Sequence, residues 1–359
     1  MQRGFQTIPP VGIVFDCDLG NDIEDVLALA LLYGLDGKNE CRMVATTISK
    51  PNLKAAALSE VIGRFYAGTV SGAFPFFGRN LPVGLAYGNK SAEDTPMFSV
   101  LAKQTAEGKP AYSHGIEKIS DTADPRDVFR NALTAQHAQN AILILAGPVS
   151  NLAAAIKYPV LKPVIPDKVR YLVVAAGSYP DGKTDPVIQA DIAGAKQLFA
   201  EWPTPIVAVG AEVGDAVPFP GASIEKDFAW SPAHPVADAY KAHKPMPYDA
   251  PAAAMAAALY AVRPKDTLFQ LSEPGTITVS DDGSTKFTPS AGGKHRYLIV
   301  DPAQKAKIQQ VYVELASAKP VPRMPRRRFG QQQQNQQQQD QQPQTPAPAK
   351  PKPEAQPRD

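Results

Sequence analysis

The sequence predicts an α/β fold with a doubly wound, mostly parallel sheet and helices on both faces. Five short apolar runs are continuous instead of alternating with polar residues, as expected for parallel strands buried on both faces. Stretches of helical length lie between them, and this β–α repetition predicts a sheet covered by helices on both sides. The 359 residues, 44% of them hydrophobic and 20% charged, suffice for one large core.

The elements follow in chain order. The predicted strands are VGIVF (Val11–Phe15), MVATTI (Met43–Ile48), AILILAG (Ala141–Gly147), YLVVAAG (Tyr171–Gly177) and PIVAVG (Pro205–Gly210). The predicted helices between and after them are Asp25–Tyr33, Leu53–Tyr66, Val149–Lys157, Ile192–Ala200 and Ala250–Val262. Ligands of such folds bind beyond the carboxyl ends of the strands, so the residues directly after each strand are the first candidates for a functional site.

Composition changes near residue 319 and divides the chain into a folded domain, residues 1–318, and a tail, residues 319–359. The tail holds nine of the 36 prolines, three consecutive arginines at 326–328 and the run QQQQNQQQQDQQ. It has too few apolar residues to offset the entropy lost on ordering, so we expect a disordered Pro/Gln-rich basic tail. We expect it to act as a solubilising spacer rather than a partner-binding segment, and to carry no chemistry.

Charge argues against nucleic acid as a partner. The whole chain has a net charge of +2, but the tail contributes eight Lys/Arg against three Asp/Glu. The body therefore carries 29 basic against 32 acidic side chains. A weakly acidic body lacks the concentrated Lys/Arg that binding to a phosphate backbone requires.

Cysteine content and hydropathy restrict the compartment. Two cysteines, Cys17 and Cys41, are too few for a disulfide framework or a cysteine-rich zinc site. No run reaches the roughly 18 apolar residues of a membrane span, and the first ten residues lack the apolar stretch of a signal peptide. We therefore expect a soluble, cytoplasmic protein without a membrane partner, or an exported one if the natural start lies upstream.

An acidic segment directly follows the first predicted strand. Five carboxylates lie within the ten residues Asp16–Asp25, in the order DCDLGNDIED. Clustered carboxylates raise each other's pKa unless a cation neutralises them, and an oxygen-only ligand set favours Ca²⁺ or Mg²⁺. The simpler interpretation is that Asp22 or Glu24 caps the next helix and the other acids are exposed. Capping requires only one of the five, so a cation site is the favoured interpretation.

This segment resembles the opening signature of the inosine–uridine-preferring nucleoside hydrolase family, D-x-D-P-G-x-D-D-x-x-A, and matches its longer D-x-D-x-G-x-D-x-D-D form except at Glu24. Later segments resemble further family motifs, in chain order Ile48–Asn52, Gly78–Gly84, Gly147–Ala153 and Tyr248–Pro251. The resemblance covers most of Val11–Leu315. It implies a nucleoside hydrolase-like, Rossmann-like catalytic domain over residues 1–318.

The resemblance also implies a reaction, which is calcium-dependent hydrolysis of the N-glycosidic bond of ribonucleosides for purine or pyrimidine salvage. The catalytic residue it implies is Asp18, as general base on a metal-bound water; Tyr248, at the position before the last metal carboxylate, is a further catalytic candidate. One Ca²⁺ per chain is implied, with the ligands Asp18, Asp25, Asp249 and the main-chain carbonyl of Ser150. The substrate-binding residues it implies are Asp22, Glu24, Asn52 and Asp185. Glu212, which follows a buried strand, either contacts the substrate or a water or is a solvated loop acid. The contact to the ribose 2′-hydroxyl is assigned either to Glu24, because it is adjacent to Asp25, or to Asp22, because it is an aspartate like the family's residue. Whether the chain forms a homo-oligomer is left open.

Two departures from the family concern the sugar and the base. Where members have E-F-N, this chain has Asp185-Pro186-Val187, and Val187 cannot form a side-chain hydrogen bond. Where the inosine–uridine branch has a histidine before the last metal carboxylate, this chain has Tyr248, a weaker acid at neutral pH. Tyr248 either hydrogen-bonds the leaving base or only packs, and His234 and His243 are candidates for a relocated acid.

Two other functions compete with hydrolysis. A hydrolase scaffold that binds a sugar or nucleoside without turnover would explain both departures, although the general base Asp18 is present. A haloacid-dehalogenase-like phosphatase also has D-x-D after its first strand. That class needs Thr or Val where Gly20 stands, and it has no counterpart for the later acids of the segment.

Overall fold

The computed structural model describes residues 9–67, 81–87 and 92–321. The strands β1–β11 are Val11–Cys17, Cys41–Ile48, Val83–Leu85, Ala141–Ala146, Val169–Ala175, Asp181–Thr184, Ile206–Val209, Gln270–Leu271, Gly275–Val279, Ser284–Pro289 and His295–Ile299. The helices α1–α12 are Glu24–Gly37, Leu53–Tyr66, Pro125–Thr134, Ser150–Lys157, Leu161–Lys168, Pro186–Gln189, Ile192–Glu201, Ala211–Ala216, Ala222–Lys226, Pro235–His243, Ala253–Val262 and Lys305–Ala316.

Part of the sequence interpretation lies outside these residues. Gly78, Arg79 and Asn80 of the Gly78–Gly84 motif are not among the described residues, and neither is the predicted tail from residue 322 onward. Across the described ranges, no helix is both long enough and apolar enough to cross a membrane.

The strands form one mixed sheet in the order β3-β2-β1-β4-β5-β7-β11-β9-β10-β6. In the described part of the chain the strands from β3 to β11 pair in parallel, whereas β9, β10 and β6 extend the sheet with antiparallel pairs. From β1 the chain proceeds outward to β2 and β3, then returns to β4 on the other side of β1. The strand order therefore reverses between β1 and β4, and such a reversal opens a crevice at the carboxyl ends of the strands.

The predicted doubly wound α/β fold is confirmed. The five predicted strands correspond to β1, β2, β4, β5 and β7, and the predicted helix Leu53–Tyr66 coincides with α2. The predicted helix Ala250–Val262 begins too early, because α11 begins at Ala253. Ala250 instead forms an isolated antiparallel bridge with Phe219.

The antiparallel part of the sheet is not foreseen by the sequence interpretation. Strand β9 buries Gly275, Ile277 and Val279 and exposes Thr276 and Thr278. Only one of its faces is covered, so its sequence alternates and contains no continuous apolar run. A search for continuous apolar runs, which identifies strands buried on both faces, therefore does not detect β9.

The core explains why the parallel strands are continuous apolar runs. Ile13 and Phe15 of β1 are buried on the face that α1, α2, α11 and α12 cover. Val14 is buried on the opposite face, beneath α3, α4, α5 and α7. Since successive side chains point to opposite faces of a strand, a sheet covered on both sides requires apolar residues at every position.

Helix α1 carries acidic side chains into the interior. Its residues from Asp25 to Leu35 are all buried, because it packs against α2, α11 and α12 as well as the sheet. Its first turn contains Glu24 and Asp25. A carboxylate in the first turn of a helix is favoured by the helix dipole, but one enclosed on all sides needs a further partner.

An aromatic cage holds His234, the residue before α10. The imidazole is 2% exposed and its ring centroid lies 4.5, 4.8 and 5.1 Å from those of Phe65, Phe228 and Trp230. Neither ring nitrogen has a hydrogen-bond partner. Burial lowers the pKa of His234 to about 4, although the charge of Asp238 opposes this shift. His234 is therefore a neutral packing residue here and not an exposed acid.

We expect His234→Phe to weaken the loss of stability at acid pH. The unfolded chain binds a proton near pH 6.5 and the folded chain only near pH 4, so the free energy of unfolding falls as pH drops through this window. Between pH 7 and pH 5 the parent should lose about 2 kcal/mol that the variant keeps. Denaturant titrations at both pH values measure the difference, with the exposed His137→Phe as the control. Equal losses in parent and His234→Phe would contradict the assignment.

Candidate active site

The candidate site lies in the crevice at the carboxyl ends of β1, β2 and β4. Asp18 follows β1, and Ser49 and Lys50 follow β2. The turn after β4 touches the turn after β1, since a Cβ on Gly147 would lie 2.6 Å from the Asp18 main-chain nitrogen. Only glycine permits this approach, which brings the two predicted motifs together at the point where the strand order reverses.

The acid cluster, defined as Asp16, Asp18, Asp22, Glu24 and Asp25, occupies this crevice. Asp16 and Asp25 are each 1% exposed and Asp18 is 7% exposed. Asp18 and Asp25 are within hydrogen-bonding reach of each other. Asp16, Asp18 and Asp25 of the predicted group of acids are therefore buried together, whereas Glu24 is half-buried and Asp22 is exposed.

Burial and mutual repulsion raise the pKa values of the cluster. The pKa of Asp18 is raised to about 6 by burial and by the charge of Asp22. The pKa of Asp25 lies well above its ordinary range because of burial and the charges of Asp22, Asp18 and Glu24. Burial likewise raises the pKa of Asp16, although the nearby Thr47 hydroxyl and a hydrogen bond from Asn151 oppose this shift. These carboxyls therefore favour a proton or a cation between them.

Asp18 is held on one side by the neutral Asn21, which in turn binds the basic Lys50. The Asn21 amide Nδ2 donates to Asp18 Oδ2, and the ammonium of Lys50 donates to Asn21 Oδ1. Lys50 is buried and its Nζ lies 5.7 Å from the centre of the Phe98 ring. Burial lowers the pKa of Lys50, and the charges of Asp18, Asp94 and Glu93 oppose this shift.

The Phe98 ring packs against the turn that contains Gly20. Gly20 has φ +105°, a left-handed conformation that favours glycine, and a Cβ there would lie 2.5 Å from the Phe98 ring. Phe98 belongs to the 3₁₀ helix Pro96–Ala102. Lys103, which directly follows this segment, and Tyr112, further along the same loop, both form hydrogen bonds with Asp238 of α10.

Glu24 and Asp22 lie at the other edge of the cluster. Glu24 Oε2 accepts a hydrogen bond of 3.2 Å from the main-chain nitrogen of Ala254, in the first turn of α11, and its pKa is raised to about 7 by burial and by Asp22. Asp22 Oδ1 accepts from the Glu24 nitrogen at 2.9 Å. The charges of His243 and Lys244 act on Asp22. Asp22 therefore faces the opening and Glu24 faces α11.

The carboxylate oxygens of the cluster are of the type that hard divalent cations prefer. Asp16 Oδ2 and Asp25 Oδ2 are buried without a hydrogen-bond partner, and buried carboxylate oxygens of this kind normally have one. Nevertheless, within residues 9–67, 81–87 and 92–321 no three His, Cys, Asp or Glu side chains are arranged to hold one metal ion. Asp249, the third predicted carboxylate ligand, is exposed and accepts a hydrogen bond of 2.8 Å from the Gly221 nitrogen. Ser150, the predicted carbonyl ligand, is the first residue of α4.

Two predicted substrate-binding residues form local hydrogen bonds instead. Asn52 caps α2 by accepting from the Lys54 nitrogen at 2.8 Å, and its amide donates to Ala92 and Asp94. Asp185 caps α6 through the Val187 and Ile188 nitrogens. The second oxygen of Asp185 accepts from the nitrogen of Gly177.

Glu212 retains one unused oxygen. It lies on α8, directly after β7. Oε2 accepts a long hydrogen bond of 3.3 Å from the Tyr179 nitrogen, whereas Oε1 is buried without a partner. Burial raises the pKa of Glu212, and the charge of Asp215 adds to that shift. The charge of Asp215 also acts on Glu24 of the acid cluster.

The Tyr248 hydroxyl is occupied by a main-chain contact. It donates to the carbonyl of Tyr240 at 2.6 Å, and the Tyr240 hydroxyl donates to the carbonyl of Tyr248 at 2.7 Å. The two rings stack with their centroids 4.3 Å apart. Burial raises the pKa of Tyr248 above that of an ordinary tyrosine. The arrangement favours the packing role over the role of an acid for the leaving base.

We expect Tyr248→Phe to change stability more than turnover. The substitution removes one buried hydrogen bond to the Tyr240 carbonyl, which should cost about 1 kcal/mol of unfolding free energy. If the hydroxyl does not reach the leaving base, kcat stays close to the parent value. Steady-state kinetics together with thermal unfolding measure both effects. A large fall in kcat at unchanged stability would restore Tyr248 as the acid.

Three residues of the site are absent from the predicted set. They are Asn21 and Lys50, which support Asp18, and Asn151, whose amide donates to Asp16 Oδ1 at 3.3 Å. Each belongs to one of the sequence motifs named above. Its position directly after a strand was the signal that could have identified it as a site residue. Their roles depend on contacts between separate turns.

A family model described as inosine-uridine preferring nucleoside hydrolase matches residues 13–326. A search of curated proteins found no match.

Several solved structures share the fold. A plant nucleoside hydrolase is 18% identical, with 86% of this chain and 100% of that one covered and a TM-score of 0.61. A purine-preferring ribonucleoside hydrolase from Gardnerella vaginalis is 19% identical, with 85% and 99% covered and a TM-score of 0.60. An inosine-uridine preferring nucleoside hydrolase from Bacillus anthracis is 16% identical, with 86% and 99% covered and a TM-score of 0.59. At these identities the similarity concerns the fold alone.

Proposed function

The chain belongs to the inosine-uridine preferring nucleoside hydrolase family, and we propose that it hydrolyses the N-glycosidic bond of ribonucleosides, with Asp18 as the general base. The observation that carries this proposal is the position of Asp18, a buried carboxylate at the reversal of strand order whose pKa is raised to about 6. A base is most effective when its pKa approaches the working pH. Asp18 is closer to that condition than an ordinary aspartate.

The chemistry requires a proton acceptor beside the anomeric carbon and contacts to the ribose. In the proposed reaction water attacks the anomeric carbon and passes one proton to Asp18, the bond to the base breaks, and the departing base takes up a proton from the solvent. Asp18 then returns its proton to the solvent. Either Glu24 or Asp22 accepts the 2′-hydroxyl proton as a hydrogen bond. The buried free oxygen of Glu212 supports a further contact to the substrate or to water.

We propose one Ca²⁺ per chain, held by Asp18, Asp25, Asp249 and the main-chain carbonyl of Ser150. The buried free oxygens of Asp16 and Asp25 support a cation here, with Asp16 supporting the ligands through its neighbours. Asp249 would have to exchange its hydrogen bond with Gly221 for the ion. When bound, calcium supplies positive charge that orients the ribose hydroxyls and makes nearby water more acidic.

A non-catalytic nucleoside-binding scaffold is the second candidate. It is favoured by the side chains that replace the sugar and base contacts, because the Asp185 carboxylate is occupied as a cap and Val187 packs against the core. The Tyr248 hydroxyl is also engaged with Tyr240. A cytoplasmic location, a homo-oligomeric state and a role in salvage stay predictions from the sequence.

The test is a panel of purine, pyrimidine and nicotinamide ribosides incubated with the protein and CaCl₂, with free sugar as the readout. Hydrolysis of at least one riboside, abolished by a calcium chelator, is the expected result. Measurable affinity for ribosides without release of sugar would favour the binding scaffold. If the protein neither binds ribosides nor releases sugar from them, both candidates are contradicted.

A further inference from the structure

Lys50 is a buried cation that binds a neutral partner. Its side chain lies in the turn after β2 and is 7% exposed. Its ammonium donates a hydrogen bond to the Asn21 amide oxygen, and in the described part of the chain it forms no ion pair. Burying an ammonium is costly unless it is compensated, so its position at the acid cluster calls for a role.

Asn21 connects this ammonium to Asp18. Its amide has one end that donates and one that accepts, and the two can exchange by rotation about the last side-chain bond. An ammonium has three donors and no acceptor, so Lys50 fixes the carbonyl end of Asn21 towards itself. The NH₂ end must then face Asp18 Oδ2, where it donates.

Asp18 lies among other carboxylates, so its orientation depends on which neighbour donates a hydrogen bond to it. Asp22 raises its pKa by charge, and Asp25 lies within hydrogen-bonding reach. The donor at Oδ2 is the Asn21 amide, which restricts rotation of the carboxylate and leaves Oδ1 to act on the attacking water.

We propose that Lys50 and Asn21 are positioning residues that hold the Asp18 carboxylate in its working orientation. This inference rests on the proposed hydrolase function, since it assigns the support of its general base. Neither residue needs to touch the substrate. The surrounding carboxylates also disfavour the other use of a buried lysine, the binding of a phosphate group, because like charges would repel it.

The experiment is a double-mutant cycle with Lys50→Met and Asn21→Ala, measured in CaCl₂ on the best riboside of the panel. Each single variant should lower kcat by about 10- to 100-fold, the scale of a misplaced catalytic group, with KM changed much less. If Lys50 acts through Asn21, Lys50→Met should have little further effect in the Asn21→Ala background. A merely structural role would lower thermal stability without this coupling in kcat.

Lys196→Met provides the matched control, because that lysine pairs with Asp281 on the surface outside the site. Thermal unfolding of each variant verifies the fold, and Asn21→Ala keeps the test available if Lys50→Met does not fold. Values of kcat within twofold of an active parent for both single variants, or fully additive losses in the double variant, would overturn the positioning inference alone. A parent that cleaves no riboside would overturn the proposed function and this inference with it.

Discussion

Asp18→Asn should lower the turnover of ribonucleosides by about 10²–10⁴-fold, the usual contribution of a positioned general base. Asparagine keeps the size of the side chain and one carbonyl oxygen, but it cannot accept the proton of the attacking water. The affinity for the substrate should change much less, because Asp18 is proposed to act in the chemical step. Rapid-quench measurement of the chemical step, with equilibrium titration of the riboside, separates the two effects.

The control for Asp18→Asn is Asp167→Asn, which alters an exposed carboxylate paired with Lys168. It should behave like the parent in both measurements. If Asp18→Asn binds and turns over ribosides like the parent, the general base is another residue. If its affinity falls as much as its turnover, Asp18 acts mainly in binding.

Asp25→Asn should stabilise the chelator-treated protein and remove its response to calcium. The Asp25 carboxyl is buried, has an oxygen without a partner and is surrounded by acids that raise its pKa. A raised folded pKa lowers the free energy of unfolding as pH rises through it, so the neutral amide should add about 1–3 kcal/mol near pH 8. Calcium at 100 times its Kd should stabilise the parent by about 2.7 kcal/mol, and the variant hardly at all.

Thermal unfolding in chelator and in CaCl₂ measures both halves of this prediction. Asp167→Asn serves again as the control and should respond to calcium as the parent does. A parent that gains no stability from calcium would contradict the cation site. An Asp25→Asn variant that is less stable than the parent in chelator would show that the carboxylate is satisfied without an ion.

Much of the fold follows from the sequence because its central strands are buried on both faces. A run such as AILILA in β4 admits no exposed position, which distinguishes it from an amphipathic strand. The antiparallel edge could not be found in this way, since β10 alternates buried and exposed residues and includes the exposed Lys286. Its pairing with β9 and β6 depends on contacts that no local pattern contains.

The site was predictable to the extent that it is local. The acids from Asp16 to Asp25 belong to one strand end and one helix start, so their grouping follows from the first turn alone. Hydrogen bonds between distant turns are a different matter. The pairing of Asp249 with Gly221, or of Lys50 with Asn21, depends on how separate loops meet in the folded chain. Sequence spacing carries no information on these contacts.

We propose that this acid cluster catalyses addition of water to the anomeric carbon of a riboside. The most direct test is hydrolysis in H₂¹⁸O with CaCl₂, followed by immediate reduction of the released sugar and mass spectrometry. We expect one ¹⁸O atom at C1 of the sugar, none in the base, and no labelled product from Asp18→Asn within the same time. Unlabelled sugar, or equal labelled product from Asp18→Asn, would contradict this proposal.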